Sequence, residues 1–334
     1  MLGPIIISIS GTELSVNDQE ILSDPAIGGV ILFSENFIDK LQLQKLVHSI
    51  KNIKDPELLV FVDQEGGRIQ RFRNGFFHLP SHRDLGRVYD RKIKDGIRSA
   101  ELTGYIMAAE LISQGVDLSF SPVVDIDHGV SEVISDRAFH SDPFIVGEMA
   151  KSYIVGMSNA GMKSVAKHFP GHGAVVADSH KYQPIDSRSM SDIEKDIRPY
   201  LELIKTNLTG IMTAHIVFPS IDHTIATFSN KWLSEILRQK YSYEGFIFSD
   251  DLTMQSAVDT GPMPQRIHQA IDAGCDFILW CHPDESVHSV LKELDEAMID
   301  KTSSYNELRT SYESVDLEEV EQCIGELNSL LNMK

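Results

Sequence analysis

Short apolar runs, each closed by a turn or polar residue, recur at residues 4–8, 29–33, 58–62, 116–120, 164–168, 210–214, 245–249 and 276–279. Each is long enough for one strand and too short for a buried helix. Between them, apolar residues return every three or four positions at 41–53, 97–113, 144–159, 192–205, 231–240, 264–273 and 286–298, with a last such segment at 317–331. That spacing predicts helices with one buried face. Strand and helix therefore alternate along the chain, which implies a parallel sheet, and the continuously apolar strands imply a sheet covered on both faces. Eight such units favour a closed barrel over an open sheet. The expected fold is α/β, a single-domain (β/α)8 TIM-type barrel over residues 1–334. No glycine-rich dinucleotide fingerprint follows the first run, and no P-loop occurs anywhere.

Composition narrows the partners. The formal charge of −19 argues against a nucleic-acid binder, which needs clustered Lys and Arg to displace counterions. Hydrophobic residues at 42% supply a full core, yet no run reaches membrane-spanning length, so no membrane partner is expected. The start of the chain has no basic leader and no small-residue cleavage site, which reads as a cytoplasmic protein. Cys275, Cys281 and Cys323 have no C-x-x-C spacing and make an odd count, so reduced thiols are expected rather than disulfides or a zinc ribbon.

Candidate chemistry gathers where the strands end. Glu35, Asp63, Asp125, Lys167, His168, His215, Asp250 and His282 all follow or close an apolar run, and in a barrel those ends converge on one mouth. The segment Lys167-His168-Phe169-Pro170-Gly171-His172-Gly173 leads into Asp178-Ser179-His180. In extended chain Asp178 and His180 share a side, so the carboxylate can orient and charge the imidazole. The same polar residues would also suit an ordinary turn. Phe246-Ile247-Phe248-Ser249 ends in the adjacent pair Asp250 and Asp251, which period-two geometry sends to opposite sides. One would face the mouth and the other would cap the next helix. Asp63-Gln64-Glu65-Gly66-Gly67-Arg68, followed by Arg71, offers close backbone approach and a guanidinium suited to a ligand dense in hydroxyls. The run of Arg71, Arg73, Arg83, Arg87, Arg91, Lys92 and Lys94 could supply positive charge near a leaving-group site or form a solvated helix face.

These three separated motifs, in this order, resemble glycoside hydrolase family 3, and most of all its NagZ-type cytoplasmic β-N-acetylhexosaminidases. The resemblance spans essentially the whole chain. It implies Asp250 as nucleophile, His180 paired with Asp178 as acid/base, and Asp63, Arg71, Arg137, Lys167 and His168 as the residues that hold the sugar. It also implies an N-acetylglucosaminyl anhydromuropeptide as the small-molecule carbohydrate substrate, with no cofactor and no metal. Two other readings stay open on the residues alone. One is a metal-dependent barrel hydrolase using His168, His172, Asp178, His180 and His215, and the other is a sugar-binding barrel without turnover.

Overall fold

The computed structural model describes residues 1–176, 183–206, 208–294, 300–310 and 316–332. Eight parallel strands form where the apolar runs lie: β1 Ile5–Ser8, β2 Ile27–Leu32, β3 Leu59–Val62, β4 Leu118–Ser119, β5 Val165–Phe169, β6 Gly210–Thr213, β7 Phe246–Phe248 and β8 Ile278–Trp280. Every residue of β1, β2, β3 and β5 is buried, as strands covered on both faces must be.

The helices are α1 Val16–Ser23, α2 Lys40–Lys51, α3 His82–Arg91, α4 Ile93–Ile112, α5 Pro143–Asn159, α6 Met190–Ile204, α7 Gln255–Val258, α8 Met263–Ala273, α9 Val287–Glu293, α10 Thr302–Leu308 and α11 Leu317–Asn332. Lys231–Lys240, expected as an ordinary helix, is wound as a π-helix. Its buried side, Trp232, Leu233, Ile236 and Leu237, still packs on the core. Besides the short α7 and α10, the pattern of apolar residues left α1 and α3 unpredicted. Both start with a capping box, Ser15 with Asp18 and Ser81 with Asp84, and their local polar bonds rather than a long apolar stripe define them.

The strands pair as two sheets, one of five in the order β8-β1-β2-β3-β4 and one of three in the order β7-β6-β5. A continuous closed ladder of eight, as the sequence predicts, is therefore not what forms. At each junction the pairing narrows to one isolated parallel bridge, Val123 with Lys167 and Phe248 with Phe277. Beside the first, β4 is only two residues long and is followed by Pro122, which has no N–H to give a ladder. Pro122 contributes its carbonyl instead, accepting from Lys167 N–H. The three cysteines are unpaired, with Cys275 and Cys281 buried and Cys323 half-buried. Among the described residues no helix is long and apolar enough to cross a membrane.

Helices α4 and α5 meet backbone to backbone at two glycines. A Cβ on Gly104 would stand 2.1 Å from Tyr153 O, and one on Gly156 would stand 1.9 Å from Glu101 O. Alanine at Gly156 gains about 1 kcal/mol of helix propensity but forces the two helices apart. Gly156→Ala should lower the unfolding free energy by about 2 kcal/mol in urea titration, and an unchanged or raised midpoint would contradict this packing.

Candidate active site

A cavity of about 500 Å3 opens at the C-terminal ends of the strands and is lined in part by Asp63, Glu65, Arg71, Arg137, Lys167, His168, Asp250 and Asp251. It brings together six of the eight predicted site residues. The other two, Asp178 and His180, lie outside the described residues.

Asp63 follows β3, and Glu65 sits in the hairpin that Gln64–Gly66 makes with Ile69–Gln70. Gly66 and Gly67 have φ of 117° and 55°, values that glycine alone adopts cheaply, and a Cβ on Gly66 would lie 2.3 Å from Pro80 O. This tight turn carries Glu65 inward and delivers Arg71 to the cavity. Arg137 ends the 3-10 turn Ser135–Arg137. Lys167 and His168 are consecutive in β5, yet both line the cavity, which regular alternation forbids. The register of β5 against β6 shifts between Lys167 and Phe169, and that irregularity breaks the alternation.

The buried charges form one network. Glu65, 2% exposed, accepts from Arg137 Nε and Nη2, each at 2.8 Å, and pairs with Lys167 Nζ at 2.7 Å. Lys167 Nζ also donates to Asp63 Oδ1 at 2.7 Å, and Arg71 Nη2 lies 3.5 Å from Asp63 Oδ2. Burial alone would raise the Glu65 pKa, but Arg137 and Lys167 outweigh it and hold the carboxyl well below its usual range. Asp63 is likewise lowered, against burial, by Lys167 and Arg71. His168 Nδ1 lies 2.8 Å from Asp125 Oδ2, and Asp125 also accepts from His172 N–H at 2.7 Å. Burial opposes ionisation of Asp125 too, and His168 with these hydrogen bonds brings its pKa down. Glu65 and Asp125 thus belong to the site although the motifs did not assign them a role.

Asp250 is half-buried just past the end of β7, and its Oδ1 accepts from Asp251 N–H at 2.7 Å. Asp251 departs from the expected helix cap: α7 starts at Gln255 with no side-chain cap. The Asp251 carboxylate instead accepts from Thr253 N–H, Thr253 Oγ1 and Cys281 N–H, which ties the turn to the end of β8. Both aspartates line the cavity, because β7 ends at Phe248 and strand parity no longer governs them. His215 Nε2 holds Asp251 O at 2.9 Å while its Nδ1 meets Thr227 Oγ1 at 2.7 Å. With both ring nitrogens occupied it is unsuited to ligate a metal. In the basic run only Arg71 lines this cavity, while Arg83 and Arg87 pair with Asp90 and Asp84, and Lys92 pairs with Asp95.

A carboxylate facing a cluster of fixed cations and hydroxyl-binding groups, at the strand ends, is a site built for polyhydroxylated ligands. Residues 6–310 match the Glycosyl hydrolase family 3 N terminal domain. The chain belongs to that family. It is a glycoside hydrolase, similar to the beta-hexosaminidase of Nitrosomonas eutropha, with 48% identity over 294 residues, covering 88% of this chain and 84% of that one. The beta-hexosaminidase of Alkalilimnicola ehrlichii is 47% identical over 295 residues, 88% of this chain and 85% of the other. Among solved structures, NagZ from Neisseria gonorrhoeae in complex with N-trifluoroacetyl-D-glucosamine superposes with a TM-score of 0.90 at 35% identity, covering 99% of this chain and 97% of that one.

The network of this family 3 enzyme has a pH signature. His82 is buried beside it, with Nδ1 2.8 Å from Arg137 O and its ring stacked on Phe139. Burial pushes its pKa down to about 4, with Glu65 opposing. A histidine whose folded pKa lies below its free value stabilises fully above about pH 6.5 and loses that stability as pH falls toward 4. The lowered carboxylates add their own loss only below about pH 4. His82→Asn keeps a donor for Arg137 O and cannot titrate. It should remove about 3 kcal/mol of the pH 6.5-to-4 stability loss measured by thermal or urea unfolding. An unchanged slope would contradict the buried neutral state.

Proposed function

We propose that the protein is a retaining β-N-acetylhexosaminidase that removes non-reducing terminal N-acetylglucosamine from 1,6-anhydromuramyl peptides during cell-wall recycling in the cytoplasm. The observation that carries this reading is the single cavity in which Asp250 stands among Asp63, Arg71, Arg137, Lys167 and His168. In this reading residues 1–334 act as one catalytic unit, supported by one hydrophobic core that runs from Leu2 to Leu327. The eight strands act as one barrel-like ring, supported by bridges at both junctions.

Asp250 attacks the anomeric carbon, and the glycosidic oxygen leaves with a proton. The glycosyl-enzyme is then hydrolysed by a water that gives up its proton to the same acid/base group. The sequence motif assigns that group to His180, paired with Asp178. An imidazole titrates near pH 6.5 unperturbed and serves both steps near neutrality without the burial a carboxyl would need. The N–H of Asp251 keeps one oxygen of Asp250 hydrogen-bonded. Lys167, Asp63 and Arg71 hold sugar hydroxyls, Arg137 fixes the far side of the ring, and His168, oriented by Asp125, donates or accepts as its partner hydroxyl requires. No step requires a metal or cofactor.

Incubation with a 5-fluoro N-acetylglucosaminyl fluoride and mass spectrometry of the digested protein should find the sugar on the peptide containing Asp250. A label on any other residue overturns the assignment. Asp250→Asn should lose on the order of 10⁴-fold or more in kcat on 4-nitrophenyl N-acetyl-β-D-glucosaminide with its fold intact. Asp251→Asn, which keeps an acceptor for Cys281 N–H, should stay within about tenfold. The reverse order would exchange the roles of the two aspartates.

A further inference from the structure

A second cavity, about 710 Å3, adjoins the first and shares Thr253 and His282 with it. Its other walls include Val258, Met263, Arg266 and Trp280. Arg266 projects from α8 and is only 8% exposed. Among the described residues it donates from Nη1 to Leu252 O, at the turn that carries Asp250, and its buried Nε has no partner. A buried guanidinium with no carboxylate bonded to it among the described residues is costly, and the side chain lines a space large enough for a ligand group.

The wall between the cavities carries a second signal. His282 has φ of 53°, a left-handed conformation uncommon outside glycine, and such backbone concentrates at binding sites. Its ring stacks on Phe33 with centroids 5.1 Å apart, and its N–H donates to Ser8 Oγ at 2.9 Å. The imidazole is exposed and borders both spaces. Two acids, Asp284 and Glu293, also line the second cavity. Both are exposed, and Asp284 is engaged by Ser286 N–H at 2.9 Å and Ser286 Oγ at 2.5 Å. Solvated charges are screened, so the buried cation dominates for a group held inside. Asp251 and Asp284 both attract Arg266 electrostatically, while the Asp251 carboxylate accepts hydrogen bonds from Thr253 and Cys281.

We propose that this second cavity receives a carboxylate borne by the leaving portion of the substrate, with Arg266 as its partner. The inference rests on the glycosidase reading above, since it presumes that a leaving group departs from the neighbouring sugar site. Ligand and enzyme turn would then be joined through one side chain: Arg266 holds Leu252 O with Nη1 and offers its remaining donors to the anion.

The test compares N-acetylglucosamine β-linked to N-acetylmuramyl-alanine, whose alanine carboxylate is free, with the same compound as its C-terminal methyl amide, and takes the 4-nitrophenyl glycoside as a neutral reference. The wild type should favour the acid over the amide by about tenfold in kcat/KM. Arg266→Gln removes the charge but keeps a donor, and Val258→Trp fills the cavity while leaving Arg266 in place. Both should bring the ratio close to one, and Val258→Trp should keep the reference rate within about threefold. A wild-type ratio near one, or a ratio that survives in either variant, overturns the proposal. Sodium acetate that competes with the acid but not with the amide supports it. Acetate that raises the wild-type melting temperature, not that of Arg266→Gln, without competing with the acid assigns the cavity to free small anions and overturns it. Loss of the acid preference alone leaves the glycosidase reading standing, whereas a wild type inert on the reference substrate overturns both.

Discussion

The carboxylate of Glu65, shut from solvent and shared between Arg137 and Lys167, is the constraint on which the cavity depends. Moving an ion out of water costs several kcal/mol, and its attraction to a partner offsets this only when the geometry and the remaining hydrogen bonds are good. Here they are: Arg137 binds with both prongs, and Lys167 spans Glu65 and Asp63. Two cations that would repel across an empty pocket are thereby held on one side of it. The glycine turn at 66–67 exists to let this acid reach inward, and the 3-10 turn at Ser135–Arg137 is fixed partly through it. From outside, Arg68 ties the same segment down through Asp136 and the carbonyls of Glu132 and Val133.

Asp250 is positioned by a different means. Its turn is held at the backbone, with Asp251 O bound by His215, Leu252 O by Arg266, and Leu252 N–H donating to Leu279 O. The Asp251 side chain spends its lone pairs on the same turn and on β8, and burial raises its pKa. The two adjacent carboxylates therefore divide into one that lines the ligand space and one that braces the loop. Rigid support of this kind is what the nucleophile role proposed for Asp250 would ask, because a small displacement of an attacking atom costs rate.

The eight strands were legible because each is a continuous apolar run, which is the direct consequence of burial on two faces. The pairing between them was less so: apolar character says that a strand is buried, not where its ladder stops, and the short β4 before Pro122 ends one of the two sheets. Helix α3, rich in charge, was hidden from periodicity, although Ser81 with Asp84 three residues on is a readable start signal. In the site, Asp63, Arg71, Lys167, His168 and Asp250 sit at strand ends or just beyond them and could be read from position and motif. Glu65 was not assigned a role, since its partner Arg137 is 72 residues away. A cue did exist, because Glu65 lies two residues after Asp63 and would share its side in extended chain. The Asp251 misreading has an equally plain cause: strand parity was extended three residues past Phe248, where β7 ends.

The most direct test of this account is Glu65→Gln, which keeps the volume and removes the charge that Arg137 and Lys167 share. Measured together, urea unfolding and steady-state kinetics on 4-nitrophenyl N-acetyl-β-D-glucosaminide should show about 3 to 5 kcal/mol of lost stability and a KM raised by on the order of 10²-fold. The KM effect should exceed that on kcat, because the residue holds the two cations proposed to bind the sugar and is assigned no contact with a reacting atom. A variant with wild-type stability and wild-type KM would contradict the claim that this buried carboxylate organises the site.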